Sequence, residues 1–242
     1  MLPALLDLVF APVCLGCDNR IAPGDTARLV CRRCRVRLRP PPVPCCARCG
    51  APLRTTGRSP QSYGCPECAW WPETLGLARA AYLLVPPADR LVHQLKYRGW
   101  RALAAPLAAA MAAIDWPADA HEPALVIPVP TTARRMRERG YNQAQLIAHE
   151  LAAATHRRMQ PRLRRVSGAR TQTTLQPAAR AANVAGAFVA DDSVAGAHVL
   201  LVDDVLTTGA TAAECARVLA DAGACCIRLV TFARAFDIRE LA

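Results

Sequence analysis

The stretch His198-Val-Leu-Leu-Val-Asp-Asp-Val-Leu-Thr-Thr-Gly-Ala-Thr-Ala212 decides the fold of this chain. Its first part, Val199 to Val202, is a short, continuously apolar run with β-branched residues, which predicts a buried strand of a parallel sheet. Asp203 and Asp204 then lie at the carboxyl end of the predicted strand. From Ala212 onward apolar residues recur at helical spacing, so this region predicts one strand–loop–helix unit.

The loop between the two acids and the predicted helix has the composition of a phosphate-binding loop. It contains Thr207, Thr208, Gly209, Ala210 and Thr211. A loop that enters a helix directs several free backbone N–H groups and the positive end of the helix dipole at one point. The neighbouring carboxylates can accept hydrogen bonds from the vicinal hydroxyls of a ribose and help to bind Mg²⁺. The implied ligand is a ribose 5-phosphate group; the simpler alternative is a solvated strand end and an ordinary loop.

Residues Val199 to Thr211 resemble the phosphoribosyl pyrophosphate (PRPP) signature of the type I phosphoribosyltransferases. The resemblance implies that the two acids contact the ribose hydroxyls and that the loop after them binds the 5-phosphate. It also implies an α/β fold, with a parallel sheet flanked by helices. A Walker-type nucleotide site is excluded, because G-x-x-x-x-G-K-[ST] does not occur in the sequence.

A small cysteine-rich domain precedes this unit. Nine of the twelve cysteines lie before residue 70, and eight of them form the Cys-x-x-Cys pairs Cys14/Cys17, Cys31/Cys34, Cys46/Cys49 and Cys65/Cys68. Each pair can bring two thiolates to one tetrahedral Zn²⁺, and two pairs complete a structural site. The spacing predicts two four-cysteine zinc ribbons in a domain spanning 1–76, paired either in chain order or crossed, with Cys45 as a spare. The phosphoribosyltransferase-like domain is expected to span 77–242.

The start of the chain favours metal binding over disulfides. Residues 1–10 contain an apolar stretch but lack the basic segment and the small-residue cleavage site of a secretory signal. No apolar run approaches the length needed to span a bilayer. We therefore expect a cytoplasmic protein, in which thiols stay reduced. Cys215, Cys225 and Cys226 lie in apolar helix and strand patterns and are expected in the core.

The charge of the chain predicts an anionic partner. The formal net charge is +11, and eight thiolates with two Zn²⁺ would lower it to about +7. Arginine is concentrated in residues 32–39, 134–139 and 157–170. These clusters are suited to single-stranded DNA or to the pyrophosphate of PRPP, although solvated faces are the simpler alternative. Few aromatic residues lie among them, so no base-stacking platform is predicted.

The rest of the chain alternates between predicted strands and helices. Strands are predicted at 80–85, 125–127, 188–189 and 225–232, and helices at 87–95, 101–113 and 142–154. This alternation indicates a parallel sheet. The polar and basic residues 161–186 are expected to form a flexible loop or hairpin near the active face, where loops close over substrates.

Further motifs extend the resemblance over almost the whole chain. They are the cysteine-rich region, Leu95–Gly99, Ile127–Pro130, Arg139–Gln143, Thr171–Leu175 with Arg180 and Asn183–Val184, and the Asp-Asp unit. Together they are similar to the ComF family of competence-associated proteins. The resemblance implies a phosphoribosyltransferase-like domain behind a zinc ribbon, and a link to the uptake of transforming DNA.

The resemblance also implies a reaction, namely displacement at the anomeric carbon of PRPP with Mg²⁺ present and pyrophosphate leaving. Asp203 and Asp204 would hold the ribose and the metal, and residues 207–211 the 5-phosphate. The only lysine of the chain is Lys96. The candidates to meet the pyrophosphate or the acceptor are Lys96, Arg98, Arg135, Arg139, Asn142 and Gln143. The alternatives are surface charge for the arginines and helix capping by Asn142.

Three functions are compatible with these residues. The chain is an enzyme that transfers a phosphoribosyl group, a sensor that binds PRPP or a related nucleotide without turnover, or a zinc-ribbon adaptor that binds DNA. The first two require a working acid pair and phosphate loop. The third requires binding that depends steeply on salt and is lost with zinc.

Overall fold

The computed structural model describes residues 12–22, 25, 27–53, 65–117, 123–166 and 185–236. A five-stranded sheet lies at its centre, in the order β1–β7–β6–β2–β3, and every neighbouring pair of its strands is parallel. The strands are β1 (Leu75–Leu83), β2 (Leu125–Pro128), β3 (Arg158–Met159), β6 (His198–Leu206) and β7 (Cys226–Arg234). A separate antiparallel pair consists of β4 (Leu163–Arg165) and β5 (Phe188–Ala190).

Helices connect these strands and flank the sheet. They are α1 (Arg32–Arg37), α2 (Ala88–Tyr97), α3 (Ala104–Ala112), α4 (Ala133–Arg139), α5 (Gln143–Ala154) and α6 (Ala210–Asp221), with 3-10 turns at Arg101–Leu103 and Asp192–Val194. Local sequence sets several helix ends. Thr132 accepts a hydrogen bond from the Arg135 N–H at the start of α4, and Asn142 accepts one from the Ala144 N–H at the start of α5. None of the helices in the described part of the chain is long and apolar enough to cross a bilayer.

The core lies on both faces of the sheet. Along β6, Val199 and Leu201 pack with α6, whereas Leu200 and Val202 pack with α2, α3 and α5, as the two-residue period of a strand requires. Each face also receives cysteines of the N-terminal region: Cys14 and Cys34 join the second cluster, and Cys46, Cys49 and Cys68 join the first. The cysteine-rich region therefore packs directly against the sheet.

The predicted fold class is confirmed, but two boundaries of the central unit were wrong. β6 does not end at Val202. It continues through Asp203 and Asp204 to Leu206, because Asp203 and Val205 still pair with β7. Helix α6 begins at Ala210, not at Ala212. The backbone ladder with β7 determined the strand end, which the apolar content of the sequence underestimated.

Four other expectations also need correction. β1 begins at Leu75, earlier than predicted, because it pairs with β7 from its first residue. The predicted helix 101–113 is divided into a 3-10 turn and α3. The strand at 188–189 belongs to the small antiparallel pair, and Cys225 is exposed. In the segment 161–186, where a flexible loop or hairpin is expected, residues 163–165 form β4, and its antiparallel pairing with β5 agrees with the hairpin alternative. The Thr171–Leu175, Arg180 and Asn183–Val184 motif lies outside the described residues.

Candidate functional site

The eight paired cysteines form two tetrads in chain order. Cys14, Cys17, Cys31 and Cys34 form one, and Cys46, Cys49, Cys65 and Cys68 form the other, with the sulfur atoms of each lying within 4.8 Å of one another. The Sγ–Sγ distances are 3.9 Å for Cys17–Cys31, 3.8 Å for Cys46–Cys68 and 3.7 Å for Cys49–Cys65. A tetrahedral Zn²⁺ with bonds of about 2.3 Å separates its sulfur ligands by about 3.8 Å. Both tetrads therefore fit zinc, and Cys45 belongs to neither.

Electrostatics within the tetrads favour a bound cation. Burial acts to raise the pKa of Cys14, but the backbone N–H groups of Cys31 and Gly16 donate to its sulfur and together bring its pKa down to about 7. Burial and the charge of Cys46 raise the pKa of Cys68 to about 12. Four thiolates are therefore not stable together without a metal, and zinc binding would release protons.

The first tetrad is attached to the start of α2. The Arg90 guanidinium lies 2.5 Å from the Asp18 carboxylate and donates to the Gly16 carbonyl at 3.3 Å. A Cβ atom at Gly16 would lie 3.1 Å from Cys34 Sγ and 3.2 Å from Pro87 Cβ. Both contacts are tighter than usual for a Cβ atom, so a side chain at this position would require Cys34 or Pro87 to shift slightly.

The second tetrad is attached to β1 through Arg48, which lies between Cys46 and Cys49. Its guanidinium donates to the carbonyls of Cys68, Trp71, Pro72 and Leu75 at 3.0, 3.2, 2.6 and 3.2 Å. In return, the Ala78 N–H of β1 donates to the Arg48 carbonyl at 2.8 Å. One arginine thus joins four carbonyl groups of the turn that follows the second tetrad, and its charge strengthens these hydrogen bonds.

The acid pair lies in the second half of β6 and its two side chains face different elements. The Asp204 side chain is 3% exposed, and its Oδ2 lies 2.5 Å from Lys96 Nζ, near the end of α2. The negative charge of Asp203 acts on Cys215 of α6 and, with burial, raises the pKa of that thiol. Asp203 Oδ1 accepts a hydrogen bond from the Asp204 N–H at 2.8 Å. The alternation of the strand therefore places one acid toward each helical layer.

With both carboxylates ionised, the acid pair would carry more negative charge than its surroundings balance. Burial and the neighbouring charge of Asp204 raise the pKa of Asp203 well above its ordinary value, and Lys96 only partly opposes this rise. A cation near Asp203 would remove the imbalance. Carboxylate oxygens are the donors that Mg²⁺ prefers. Asp204 is paired with Lys96 and faces the other layer, so Asp203 is the carboxylate at which a magnesium ion remains a prediction.

The predicted phosphate loop is a three-residue turn between β6 and α6. Thr207 is exposed, and Gly209 has a φ of 82°, the left-handed conformation that favours glycine. Thr208 Oγ1 accepts a hydrogen bond from the Ala210 N–H at 3.4 Å. The first turn of α6, which contains Ala210 and Thr211, follows directly. Its backbone N–H groups are thereby directed to the end of the sheet where the acids lie.

Three of the motifs that resemble the ComF family meet beside the acid pair. The Tyr141 hydroxyl donates to the Leu95 carbonyl, which brings Arg139–Gln143 onto Leu95–Gly99. Asn142 Nδ2 donates to the Val129 carbonyl at 3.0 Å, and the Val129 N–H donates to the Val202 carbonyl at 2.9 Å. These bonds bring segments that are far apart in the chain to Val202, the residue of β6 just before the acid pair.

The remaining candidate residues differ in how far they are free to bind a ligand. Arg98 and Arg135 are exposed. Arg139 donates to Gln143 Oε1 at 2.8 Å and lies over the Tyr97 ring, 4.8 Å from its centroid. Asn142 is buried and its side chain caps α5. Of the predicted set, Lys96 and Arg139 are thus the basic residues that the fold holds in place.

Trp71 is a site residue that sequence reasoning missed. It is 4% exposed, and its indole lies on the Thr208–Gly209 turn. Its position three residues after Cys68 is the only sequence signal for this contact. Periodicity and motif spacing describe neighbours along the chain, and this contact joins residues 137 positions apart.

Comparison with known proteins supports both parts of this description. Residues 124–239 match the family model of the phosphoribosyl transferase domain, and residues 5–69 match that of the double zinc ribbon domain. The chain is similar to the DNA utilization protein YhgH of Salmonella typhimurium, with 33% identity over 208 residues, or 83% of this chain and 86% of the relative. It is also similar to the competence protein ComFC of Bacillus subtilis, with 25% identity over 87% of this chain and 90% of the relative.

Among solved structures, similarity is found to the glutamine PRPP amidotransferase from B. subtilis complexed with ADP and GMP. The identity is 23% and the TM-score is 0.35, and the match covers 55% of this chain and 26% of the other.

Proposed function

This chain belongs to the ComF family, with a double zinc ribbon before a phosphoribosyl transferase domain, and from that premise we propose that it binds Mg²⁺-PRPP and transfers the phosphoribosyl group to an acceptor. The observation that carries the proposal is the juxtaposition of an under-compensated acid pair with a glycine turn that opens α6. A ribose 5-phosphate offers hydroxyl groups to the acid pair and an anion to the turn before α6. The names of the relatives support a link to the uptake and use of DNA.

In this proposal the acids and the loop have separate roles. Asp203 and Asp204 accept hydrogen bonds from the ribose hydroxyls and orient the ring. Residues 207–211 bind the 5-phosphate through backbone N–H groups and threonine hydroxyls. Lys96 lies 2.5 Å from the Asp204 carboxylate in the buried part of the sheet; it fixes the position of this carboxylate and so acts on the ribose through that acid.

The chemical step is displacement at the anomeric carbon. The bond from this carbon to the pyrophosphate oxygen breaks, its electron pair leaves with the pyrophosphate, and a bond to the acceptor forms. Mg²⁺ supplies positive charge to the leaving group when it is bound. Arg98, Arg135 and Arg139 are the residues proposed to stabilise that developing charge from the protein side, by electrostatic interaction.

Calorimetric titration of the zinc-loaded protein with Mg²⁺-PRPP tests the proposal. We expect saturable binding by the wild type and its loss in the Asp203→Asn/Asp204→Asn double variant. The matched control is Asp192→Asn, which changes an exposed acid outside the site. Failure of a folded, zinc-replete wild type to bind Mg²⁺-PRPP would overturn the proposal. Binding of PRPP with no turnover in the presence of any acceptor tested would instead identify a PRPP sensor.

A second candidate function, binding of single-stranded DNA, is favoured by one surface. Tyr97 and Trp100 are 60% and 44% exposed, and Arg139 lies over one face of the Tyr97 ring. Arg98 lies between the two aromatic residues in the chain and is exposed as well. Aromatic faces among arginines are typical of sites where unpaired bases stack and phosphates are neutralised. Few aromatic residues lie among the arginine clusters in the sequence, but the fold brings Tyr97 of α2 beside Arg139.

A further inference from the structure

The indole of Trp71 forms a cover over the turn between β6 and α6. Its Nε1–H donates to the Thr208 carbonyl at 3.4 Å. Its ring lies so close to Gly209 that a Cβ atom there would be 2.4 Å from Cζ2 and 2.8 Å from Nε1. Such distances are well inside van der Waals contact, so residue 209 has to be glycine for two reasons: the left-handed backbone and the ring above it.

Trp71 is itself held by both halves of the second tetrad. Its N–H donates to the Cys68 carbonyl at 3.1 Å, which ties it to the Cys65/Cys68 pair. Its carbonyl accepts from Arg48 at 3.2 Å, and Arg48 also donates to the Cys68 carbonyl at 3.0 Å. Because Arg48 lies within the Cys46/Cys49 pair, a metal ion that joins the two pairs also fixes the position of Trp71.

The turn needs such support if it is to bind a phosphate. Glycine has the largest conformational freedom of any residue, and freezing it on ligand binding costs free energy. A turn that is already held in the binding conformation avoids that cost and binds more tightly. Trp71 contacts both residues whose backbone geometry determines where the first N–H groups of α6 point.

We propose that Trp71 is a positioning residue of the phosphoribosyl site, which holds Thr208 and Gly209 in the conformation that binds the 5-phosphate and makes this conformation depend on the second zinc ribbon. The inference rests on the function proposed above. It assigns to the second ribbon an indirect part in ligand binding, through Trp71 and the turn that Trp71 holds. Trp71 acts through the turn and does not itself contact the ligand.

The variants Trp71→Ala and Trp71→Phe test this role, with Trp70→Ala as the matched control. Trp70 is 42% exposed and meets the Trp71 ring edge-on, with ring centroids 6.5 Å apart, so its removal controls for the loss of a neighbouring ring while the Trp71 indole is kept. Phenylalanine keeps a ring against Gly209 but loses the donor to Thr208. Zinc content of two per chain and an unchanged far-UV spectrum would verify that each variant is folded.

Calorimetric titration with Mg²⁺-PRPP, ribose 5-phosphate and Mg²⁺-pyrophosphate shows which part of the ligand is bound less tightly when Trp71 is replaced. For Trp71→Ala we expect the affinities for Mg²⁺-PRPP and for ribose 5-phosphate to fall by the same factor, about tenfold, because both ligands share the 5-phosphate. The affinity for Mg²⁺-pyrophosphate should not change. Trp71→Phe should restore part of the loss, and Trp70→Ala should match the wild type. Equal weakening of all three probes, or no weakening of ribose 5-phosphate, would overturn the inference.

Hydrogen exchange separates this inference from the proposed function. We expect the peptide covering residues 207–213 to lose protection in Trp71→Ala, but not in Trp70→Ala, without any ligand present. A wild type that does not bind Mg²⁺-PRPP refutes the proposed function, and loss of protection would then still establish that Trp71 holds the turn. Unchanged protection would refute the role of Trp71 even if the wild type binds PRPP.

Discussion

Lys96 is the residue on which the charge balance of the site depends. It reaches from α2 to Asp204, whose side chain is 3% exposed, at 2.5 Å. From the sequence, this lysine is a candidate to bind a phosphate, because it is the only lysine in an arginine-rich chain. The fold instead pairs it with a carboxylate, which is the least costly arrangement for a charge at this depth.

Replacing Lys96 by methionine should therefore destabilise the protein. Asp204 would remain buried without its partner and next to Asp203, and we expect the free energy of unfolding to fall by about 3 kcal/mol. Lys96→Arg keeps the charge, and its free energy of unfolding should fall clearly less. Denaturant unfolding of the zinc-loaded proteins measures the difference, and a methionine variant as stable as the arginine variant would contradict the role given to this ion pair.

The raised pKa of Asp203 predicts that the stability of the folded protein depends on pH. Burial and the charge of Asp204 raise its pKa in the folded state above the value of about 4 in the unfolded chain. The folded state then holds the proton more tightly, so stability is lost as the pH rises from about 4 toward the raised pKa. Asp203→Asn removes this loss, and we expect its Tm to exceed that of the wild type by about 3 °C above that pKa.

The comparison is made by scanning calorimetry over the pH range in which two zinc ions per chain stay bound. The advantage of Asp203→Asn should shrink as the pH is lowered. Asp192→Asn, at an exposed position, should show no such trend. An asparagine variant that is less stable than the wild type at alkaline pH would show that the carboxylate is not under-compensated.

At the scale of elements, the two zinc ribbons have different neighbours. The first contacts the start of α2 through Arg90 and Pro87. The second contacts β1 through Arg48 and the turn before α6 through Trp71. Among the described residues, the second ribbon is therefore the one that touches an element proposed to bind the ligand directly, the turn before α6.

This difference predicts that the loss of one zinc ion has unequal effects. Cys17→Ser and Cys65→Ser each remove one ligand at a half-buried position of a tetrad. We expect both variants to retain about one zinc per chain, and Mg²⁺-PRPP affinity to fall about tenfold only in Cys65→Ser. Metal analysis with calorimetry measures both quantities. Equal losses of affinity would indicate that the ribbons act through overall stability.

At the scale of the whole molecule, the positive charge and the exposed aromatic residues act together. The net charge of +11, or about +7 with zinc bound, predicts that the logarithm of the affinity for single-stranded DNA falls linearly with the logarithm of the salt concentration. Arg98→Gln should lower that slope by about 0.7, the share of one phosphate contact. Tyr97→Ala should weaken binding without changing the slope, because stacking is not ionic.

Fluorescence anisotropy with an oligothymidylate at several salt concentrations separates the two effects. Trp70→Ala, which removes an exposed aromatic residue outside this surface, is the control. Zinc removal distinguishes the alternatives: binding lost with zinc would assign DNA to the ribbons, and binding retained would assign it to the surface around Tyr97. A change of slope in Tyr97→Ala would contradict the stacking role.

The sequence alone determined the properties that depend on residues close together in the chain. The apolar run before Asp203 predicted the central strand, and the spacing of the Cys-x-x-Cys pairs predicted two four-cysteine sites. Both signals are local, because strand burial and metal geometry constrain neighbouring residues directly. The extent of β6 was underestimated, since Asp203 and Asp204 are held in the strand by its ladder with β7.

The tertiary structure decided everything that required distant segments to meet. It chose the chain-order pairing of the cysteines, placed Lys96 on Asp204 and brought Arg139 over Tyr97. It also set Trp71 on Gly209, a contact that no motif indicates. The physical reason is that packing and charge compensation depend on distance in space, and the spacing of residues along the chain carries that distance only within single elements.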